Sequence, residues 1–207
     1  IFCSLYKKAT LALHRFVLPN DFFNHIINDK ITVLPIMPIN ITDMFDEDSH
    51  RLPSPELLKN VRIITSSGGN VTAKMITDIE KYFVGAKFFS MHGLTEAFRS
   101  TYLEPSQLKI RPESIGKAIP DVELYVIDEN GNECPPRVVG ELIHRGGYIY
   151  KGFWNAPKTT EQRFKSIQIL KNIVNLEGQL SDEIVVKTGD YVYKDEEGYF
   201  YFVSRHD

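Results

Sequence analysis

The chain has 207 residues, enough for one large domain or two small ones, and its 43% hydrophobic and 25% charged residues suit an ordinary globular core. With 24 basic and 27 acidic residues the net charge is -3, which excludes a basic footprint for nucleic acid or an anionic membrane. Two cysteines, Cys3 and Cys134, cannot build a disulfide framework, no CxxC or Cys/His cluster suggests zinc, and no apolar run nears the ~18 residues of a membrane span, so a reducing, cytoplasmic setting is expected.

"LHRFVLP", up to Pro19, reads as a short strand. "NDFFNHIINDK" reads as a helix with Asn20 or Asp21 as N-cap and Phe22, Phe23, Ile26 and Ile27 on one face. "ITVLPI" is a β-branched strand, and Pro38 to Phe45 is helical in pattern. After the polar loop "DEDSHRLPSP", "ELLKN" leads into the strand "VRIIT". "SSGGN" then turns the chain into the helix "VTAKMITDIEKYF", whose Val71, Met75, Ile79, Tyr82 and Phe83 face inward, and "AKFFSM" is the next strand. Strands alternating with helices at these lengths predict parallel crossovers. From about Glu113 onward the texture is different. "VELYVIDENGNECPP" is a strand with an Asn-Gly turn, and "VVGELIHRGGYIYKGFW" reads as strands broken by glycine. "EIVVKTGDYVYKDEEGYFYFVSR" reads as a strand, a glycine break and a hairpin through Asp195 to Gly198. The expected fold class is α/β: a parallel-strand α/β subdomain, residues 1–113, then a smaller antiparallel β subdomain, residues 114–207.

Ligands of open parallel sheets bind where loops leave the carboxyl ends of strands. Three segments are placed at such ends: "SSGGN", "HGLTE" and "KTGD". Ser67-Gly68-Gly69 lets backbone approach a flat ligand or present N–H groups to an anion, or is a plain tight turn. Thr95 offers a hydroxyl to a phosphate and Glu96 a carboxylate to Mg²⁺; the alternative is a helix N-cap followed by a first-turn acid. Asp190 suits a ribose diol or a solvated turn, and Arg205 a phosphate or a surface ion pair. His14, His25, His50 and His144 have no nucleophile or metal partner nearby in sequence and are read as structural. Phe153 and Trp154 are read as core or turn packing.

Four motifs in order resemble one family: "MHGLTEA", "SIGKAIP", "GELIHRGG...KGFWNAPKTTEQRF" and "KTGDYVYKDEEGYFYFVSRHD". From about Phe16 to Asp207 the chain resembles the adenylate-forming superfamily of acyl-CoA synthetases, luciferases and peptide-synthetase adenylation domains, and it looks most like bacterial acyl-CoA ligases. The resemblance implies a carboxylate attacking the α-phosphate of ATP, release of pyrophosphate, and passage of the acyl group from AMP to the thiol of coenzyme A or a carrier protein, as in fatty acid metabolism. It places Gly68, Gly69 and Asn70 along the adenine and acyl pocket, with Asn70 where Ala is common. Ser90 falls at the adenine amino group, and Met91 and Gly93 on the nucleotide segment. His92 stands in the place of a stacking aromatic, usually Tyr. Thr95 matches the phosphate-contacting hydroxyl and Glu96 the magnesium ligand, while Ser67, Gly93 and Leu94 border the acyl pocket. Asp190 matches the ribose aspartate, Arg205 a nucleotide-reaching arginine preceded by Ser204 in place of Gly, and Asp207 the hinge to a C-terminal domain. The resemblance further implies that a phosphate loop belongs ahead of Ile1 and a lysine-bearing domain after Asp207, so that this piece alone is expected to be inactive. Two alternatives stay open: an adenylation domain that activates an amino acid, and a non-catalytic nucleotide-binding module.

Overall fold

The computed structural model describes residues 4, 6–14, 19–46, 52–178 and 182–205. Contacts divide the chain into two compact units, Ile1–Phe89 and Ser90–Asp207. The division falls within a strand, ahead of the change in sequence texture near residue 113.

In the first unit, helix α1 (Pro19–Asn28) is followed by strand β1 (Val33–Ile36), helix α2 (Pro38–Met44), strand β2 (Ile63–Ser66), helix α3 (Ala73–Tyr82) and strand β3 (Lys87–His92), which runs on into the second unit. The helix expected to be capped by Asn20 or Asp21 instead begins at Pro19, a residue whose fixed φ suits a first turn, so both polar residues lie inside the helix. Most of the strand expected over residues 13–19 lies outside the described residues. β1 and β2 pair in parallel, Val33 opposite Ile63 and Ile36 opposite Ser66, as the strand–helix alternation requires. α3 is capped by Thr72, whose Oγ1 accepts from the Met75 N–H at 3.3 Å. Its inward face is Ile76, Ile79 and Tyr82, continued by Phe83; Ile76 is a core residue that the sequence pattern did not single out. Phe45 stacks on Tyr82, centroids 5.1 Å apart, and meets Phe83 edge-on at 6.4 Å.

The second unit is an antiparallel sheet. Its strands are the end of β3, then β4 (Thr101–Leu103), β5 (Ser114–Ala118), β6 (Val122–Ile127), β7 (Gly140–Gly146), β8 (Phe164–Ser166), β9 (Ile184–Lys194) and β10 (Phe200–Arg205), with helix α4 (Pro157–Arg163) leading into β8. Their spatial order is β3-β4-β5-β10-β9-β7-β6, with β8 also on β9. The expected Asn-Gly turn is present: the Asp128 carboxylate accepts from the Asn130 and Asn132 backbone N–H groups, and Gly131 takes φ +79°. One core cluster gathers Val126, Leu142, Val192 and Phe200, and another Ile143, Ile167, Leu170 and Val185. Among the described residues no helix is long and apolar enough to cross a membrane.

His144, mid-strand in β7 between Leu124 and Val186, has no solvent exposure. Its Nδ1 shares a 3.0 Å hydrogen bond with Ser100 Oγ, while Nε2 is buried with no hydrogen-bond partner among the described residues. Burial therefore pulls its pKa down from the ordinary 6.5 to about 4. The folded protein holds this ring neutral, and the unfolded chain takes up a proton below pH 6.5. His144 thus contributes stability that is complete above pH 6.5 and declines as pH falls toward 4, by ~1.4 kcal/mol per unit across the window. Urea melts at pH 7 and pH 4.5 should show a His144→Leu variant losing about 2 kcal/mol less than wild type over that interval. Equal losses would assign the acid sensitivity to other groups.

Candidate functional site

The "KTGD" segment does not leave the end of a strand as expected. It lies inside β9, which runs unbroken from Ile184 to Lys194. Tyr191 faces Glu141 and Lys187 faces Ile143, so Thr188, Gly189 and Asp190 together oppose the single residue Leu142. This is a bulge, and each of its residues satisfies part of what the interrupted ladder leaves open. Thr188 Oγ1 donates to the Leu142 carbonyl at 2.8 Å and accepts from the Asp190 N–H at 3.1 Å. The Thr188 carbonyl accepts from Arg163 Nη1 at 2.8 Å. Gly189 has φ +74°, and a Cβ there would sit 2.0 Å from Arg163 Nη1. On the other edge of β9, Phe202 pairs with Val192 but Ser204 pairs with Tyr191, so Val203 is an extra residue in β10 and Arg205 falls opposite Asp190.

The outcome is a buried carboxylate. Asp190 is 2% exposed. His92, the last residue of β3, brings Nε2 to 3.0 Å from Asp190 Oδ2, where its N–H donates to the carboxylate. Arg205 Nη1 is 3.8 Å from Oδ1, close enough for charge attraction but too far for a hydrogen bond. Among the described residues Asp190 Oδ1 is consequently a buried acceptor without a hydrogen-bond partner, and such an atom carries a desolvation cost until a donor arrives. The Phe202 ring lies 6.1 Å from that of His92, a neighbour that no local sequence pattern announces. His92, Asp190 and Arg205 are thus brought together from three strands.

The segment after β3 places Thr95 and Glu96. It doubles back so tightly that a Cβ on Gly93 would be 2.8 Å from the backbone of Arg99, and the Ser100 N–H donates to the His92 carbonyl at 2.9 Å. No helix follows Thr95, so the capping alternative does not hold; residues 93–100 are bends and a bridge. Ala97 bridges Ile149, the Tyr150 N–H donates to the Glu96 carbonyl at 3.0 Å, and Phe98 N–H donates to Tyr148. Ala97 is fully buried against Phe164 and Val186, with Leu94 and Phe153 packed beside them. Thr95 is exposed, whereas Glu96 is 8% exposed, and no side chain among the described residues bonds its carboxylate. A carboxylate with no side-chain partner among the described residues, next in sequence to an exposed hydroxyl, offers the oxygen ligands that a hard divalent cation of the Mg²⁺ type takes. Ser100 anchors the far end of the segment through His144.

The remaining expected positions are more dispersed. Ser90 is buried and Met91 half-buried on β3, paired with Leu103 and Tyr102 of β4. In the first unit, Gly68 takes φ +89° and lies against Met37, Gly69 lies against Pro38, and Asn70 is exposed, while Ser66 Oγ is buried without a partner just ahead of Ser67. Asp207 lies outside the described residues. Phe153 is core packing, but Trp154 is 91% exposed in a turn. His14 and His25, read as lacking metal-ligating neighbours, are in fact adjacent to one another and to Asp29. A groove of about 1140 Å³ is lined by Arg163, Lys187, Gly189 and Tyr191 but not by Asp190, whose side chain points to the opposite side of β9.

The family model for AMP-binding enzymes matches residues 1–154. A linear gramicidin synthase of Brevibacillus parabrevis is 31% identical over an alignment of 209 positions, which covers all of this chain and 2% of that protein. Indoleacetate–CoA ligase of Aromatoleum aromaticum is 25% identical over 203 residues, 98% of this chain and 36% of that one. The O-succinylbenzoate coenzyme A synthetase MenE of Bacillus subtilis, in complex with ATP and magnesium ion, shares the fold with a TM-score of 0.75 at 23% identity, over 99% of this chain and 38% of its own. The chain therefore spans well under half the length of these relatives. With residues 1–154 of its 207 inside the family model, the chain belongs to the AMP-binding enzymes of the adenylate-forming superfamily.

Proposed function

We propose that this chain is part of a cytoplasmic acid–thiol ligase that converts a carboxylic acid to its acyl-adenylate with release of pyrophosphate and then passes the acyl group to coenzyme A. The observation that carries the reading is the Asp190 carboxylate, held through Oδ2 by His92 and bearing an Oδ1 that is buried without a donor. A ribose hydroxyl supplies such a donor, and Arg205, 3.8 Å from the same oxygen, balances the charge of the site. Thr95 donates its hydroxyl to the α-phosphate, and Glu96 holds the cation. A Mg²⁺ ion held there would supply charge to offset what grows on the phosphate during displacement. The chain's own contribution is positional: Ala97 and the Glu96–Tyr150 backbone bond fix where the carboxylate sits, so little reorganisation accompanies the reaction. Within the second unit Gly93 and Leu94 border the acyl group, and Asp207 is the hinge to a following domain. Residues 1–113 and 114–207 are the two functional parts in this reading.

A second reading, activation of an amino acid for a carrier protein, is favoured by the higher identity to the linear gramicidin synthase, 31% against 25% for indoleacetate–CoA ligase. Acid-dependent ATP–pyrophosphate exchange by the full-length protein, screened with fatty, aryl and amino acids, separates the two. Exchange with fatty or aryl acids followed by acyl-CoA formation is expected, and exchange confined to amino acids would replace the ligase reading with the second one. In the same assay Glu96→Gln should lower exchange on the order of 100-fold. Calorimetry with AMP tests the nucleotide site directly. Asp190→Asn should weaken AMP binding about 10- to 100-fold, the loss of a charge-assisted hydrogen bond. Unchanged affinity in a folded Asp190→Asn variant would remove the ribose role.

A further inference from the structure

Away from this site, in the first unit, the structure brings together two imidazoles and a carboxylate. His25 stands in the last turn of α1, and Asp29 follows four residues later, its N–H donating to the His25 carbonyl at 3.0 Å. That spacing puts both side chains on one side of the turn. His14, from the segment before the helix, stacks on His25 with ring centroids 3.6 Å apart and planes 16° from parallel, and its Nε2 meets Asp29 Oδ2 in a short contact. One ligand atom from each of the three lies within 4.8 Å of the others. We infer that His14, His25 and Asp29 form a binding site for a zinc-class divalent transition ion, distinct from the hard-cation position at Glu96.

Donor chemistry selects the ion. Two imidazole nitrogens and one carboxylate oxygen suit Zn²⁺, which takes nitrogen at about 2.0–2.1 Å, whereas Mg²⁺ prefers an all-oxygen shell. Placement helps as well. The trio lies where the carbonyl end of α1 carries partial negative charge, which attracts a cation. The His14 and Asp29 side chains are 36% and 38% exposed, so an ion has an open approach and a fourth position for water. Stacked rings send their lone pairs out nearly parallel, so closing on one ion requires a His14 rotation about χ2. That rotation exchanges the contact with Asp29 for a shared metal, and the ion then ties the segment before α1 to the helix's last turn.

The test is direct titration of the full chain with Zn²⁺, and with Co²⁺ as a spectroscopic probe, in excess Mg²⁺. We expect one ion per chain, a tetrahedral Co²⁺ absorption spectrum displaced by Zn²⁺, and a Zn²⁺-dependent rise in the thermal midpoint. His14→Ala, His25→Ala and the near-isosteric Asp29→Asn should each abolish all three signals while circular dichroism stays that of wild type. Any variant that loses its native circular dichroism is replaced by His14→Gln or His25→Gln, which are held to the same outcome. Absence of binding to the wild-type chain would overturn the inference. So would binding that survives in the folded variants, since the ion would then be held by other side chains.

Discussion

The bulge in β9 is the constraint on which the candidate site depends. A regular strand would alternate side chains along 187–191, and a slip of one residue would send Asp190 to the other face. Three residues opposite Leu142 add two to β9, so the alternation is kept while the ladder to β7 is interrupted, and the interruption holds because its loose ends are tied. Thr188 closes it from within, giving its proton to the Leu142 carbonyl and receiving one from the Asp190 amide. Gly189 supplies the positive φ, and its missing side chain admits Arg163, which caps the Thr188 carbonyl. The residues that make the motif recognisable therefore have a structural task, and the carboxylate is delivered by that geometry. β10 repeats the device with Val203, without which Arg205 would not face Asp190.

The segment after β3 meets the same problem differently. A loop with an exposed hydroxyl and a buried carboxylate cannot be held by its own side chains, so it is fixed at backbone and by one small apolar residue. Residues 96–98 pair with 148–150, Ala97 enters the core beside Phe164 and Val186, and the loop's two ends close on each other across Gly93. Ser100, at the far end, is bonded to a histidine that the core keeps neutral. Glu96 as a residue is thereby largely buried, and no side chain among the described residues engages its carboxylate, which leaves its oxygens open to a cation.

Much of this fold was legible. Alternating strand and helix patterns in the first unit produced a parallel β1–β2 pair joined through α2, and the Asn-Gly signal marked its turn. Local patterns failed where the structure uses a residue against its usual meaning. Glycine in "KTGD" reads as a break, yet β9 passes through it because Thr188 and Arg163 repair the ladder. Asp21 reads as a cap, but Pro19 starts the helix first. Long-range pairings carry no local signal at all: His92 and Asp190 are 98 residues apart, and His144 looks like any strand residue until Ser100 is seen across from it. His25 and Asp29 stand at i, i+4, yet His25 reads as having no metal partner nearby in sequence, and the ring of His14 comes from a separate segment.

The histidine at 92 decides how the proposed function works in this chain. A tyrosine there offers a larger face to adenine and no charge to the neighbouring acid. His92 has less area to stack but is directed toward Asp190, engaging Oδ2 while Phe202 stands 6.1 Å away on its flank. One of the two carboxylate oxygens is thus already engaged by His92, and in the proposed function a ribose meets Oδ1 alone. Orienting the acid in advance reduces the ordering cost of binding, while the committed oxygen removes one acceptor from the ligand. In the proposed function the pair therefore orients the acid for the sugar while giving up one acceptor and some stacking area on the base.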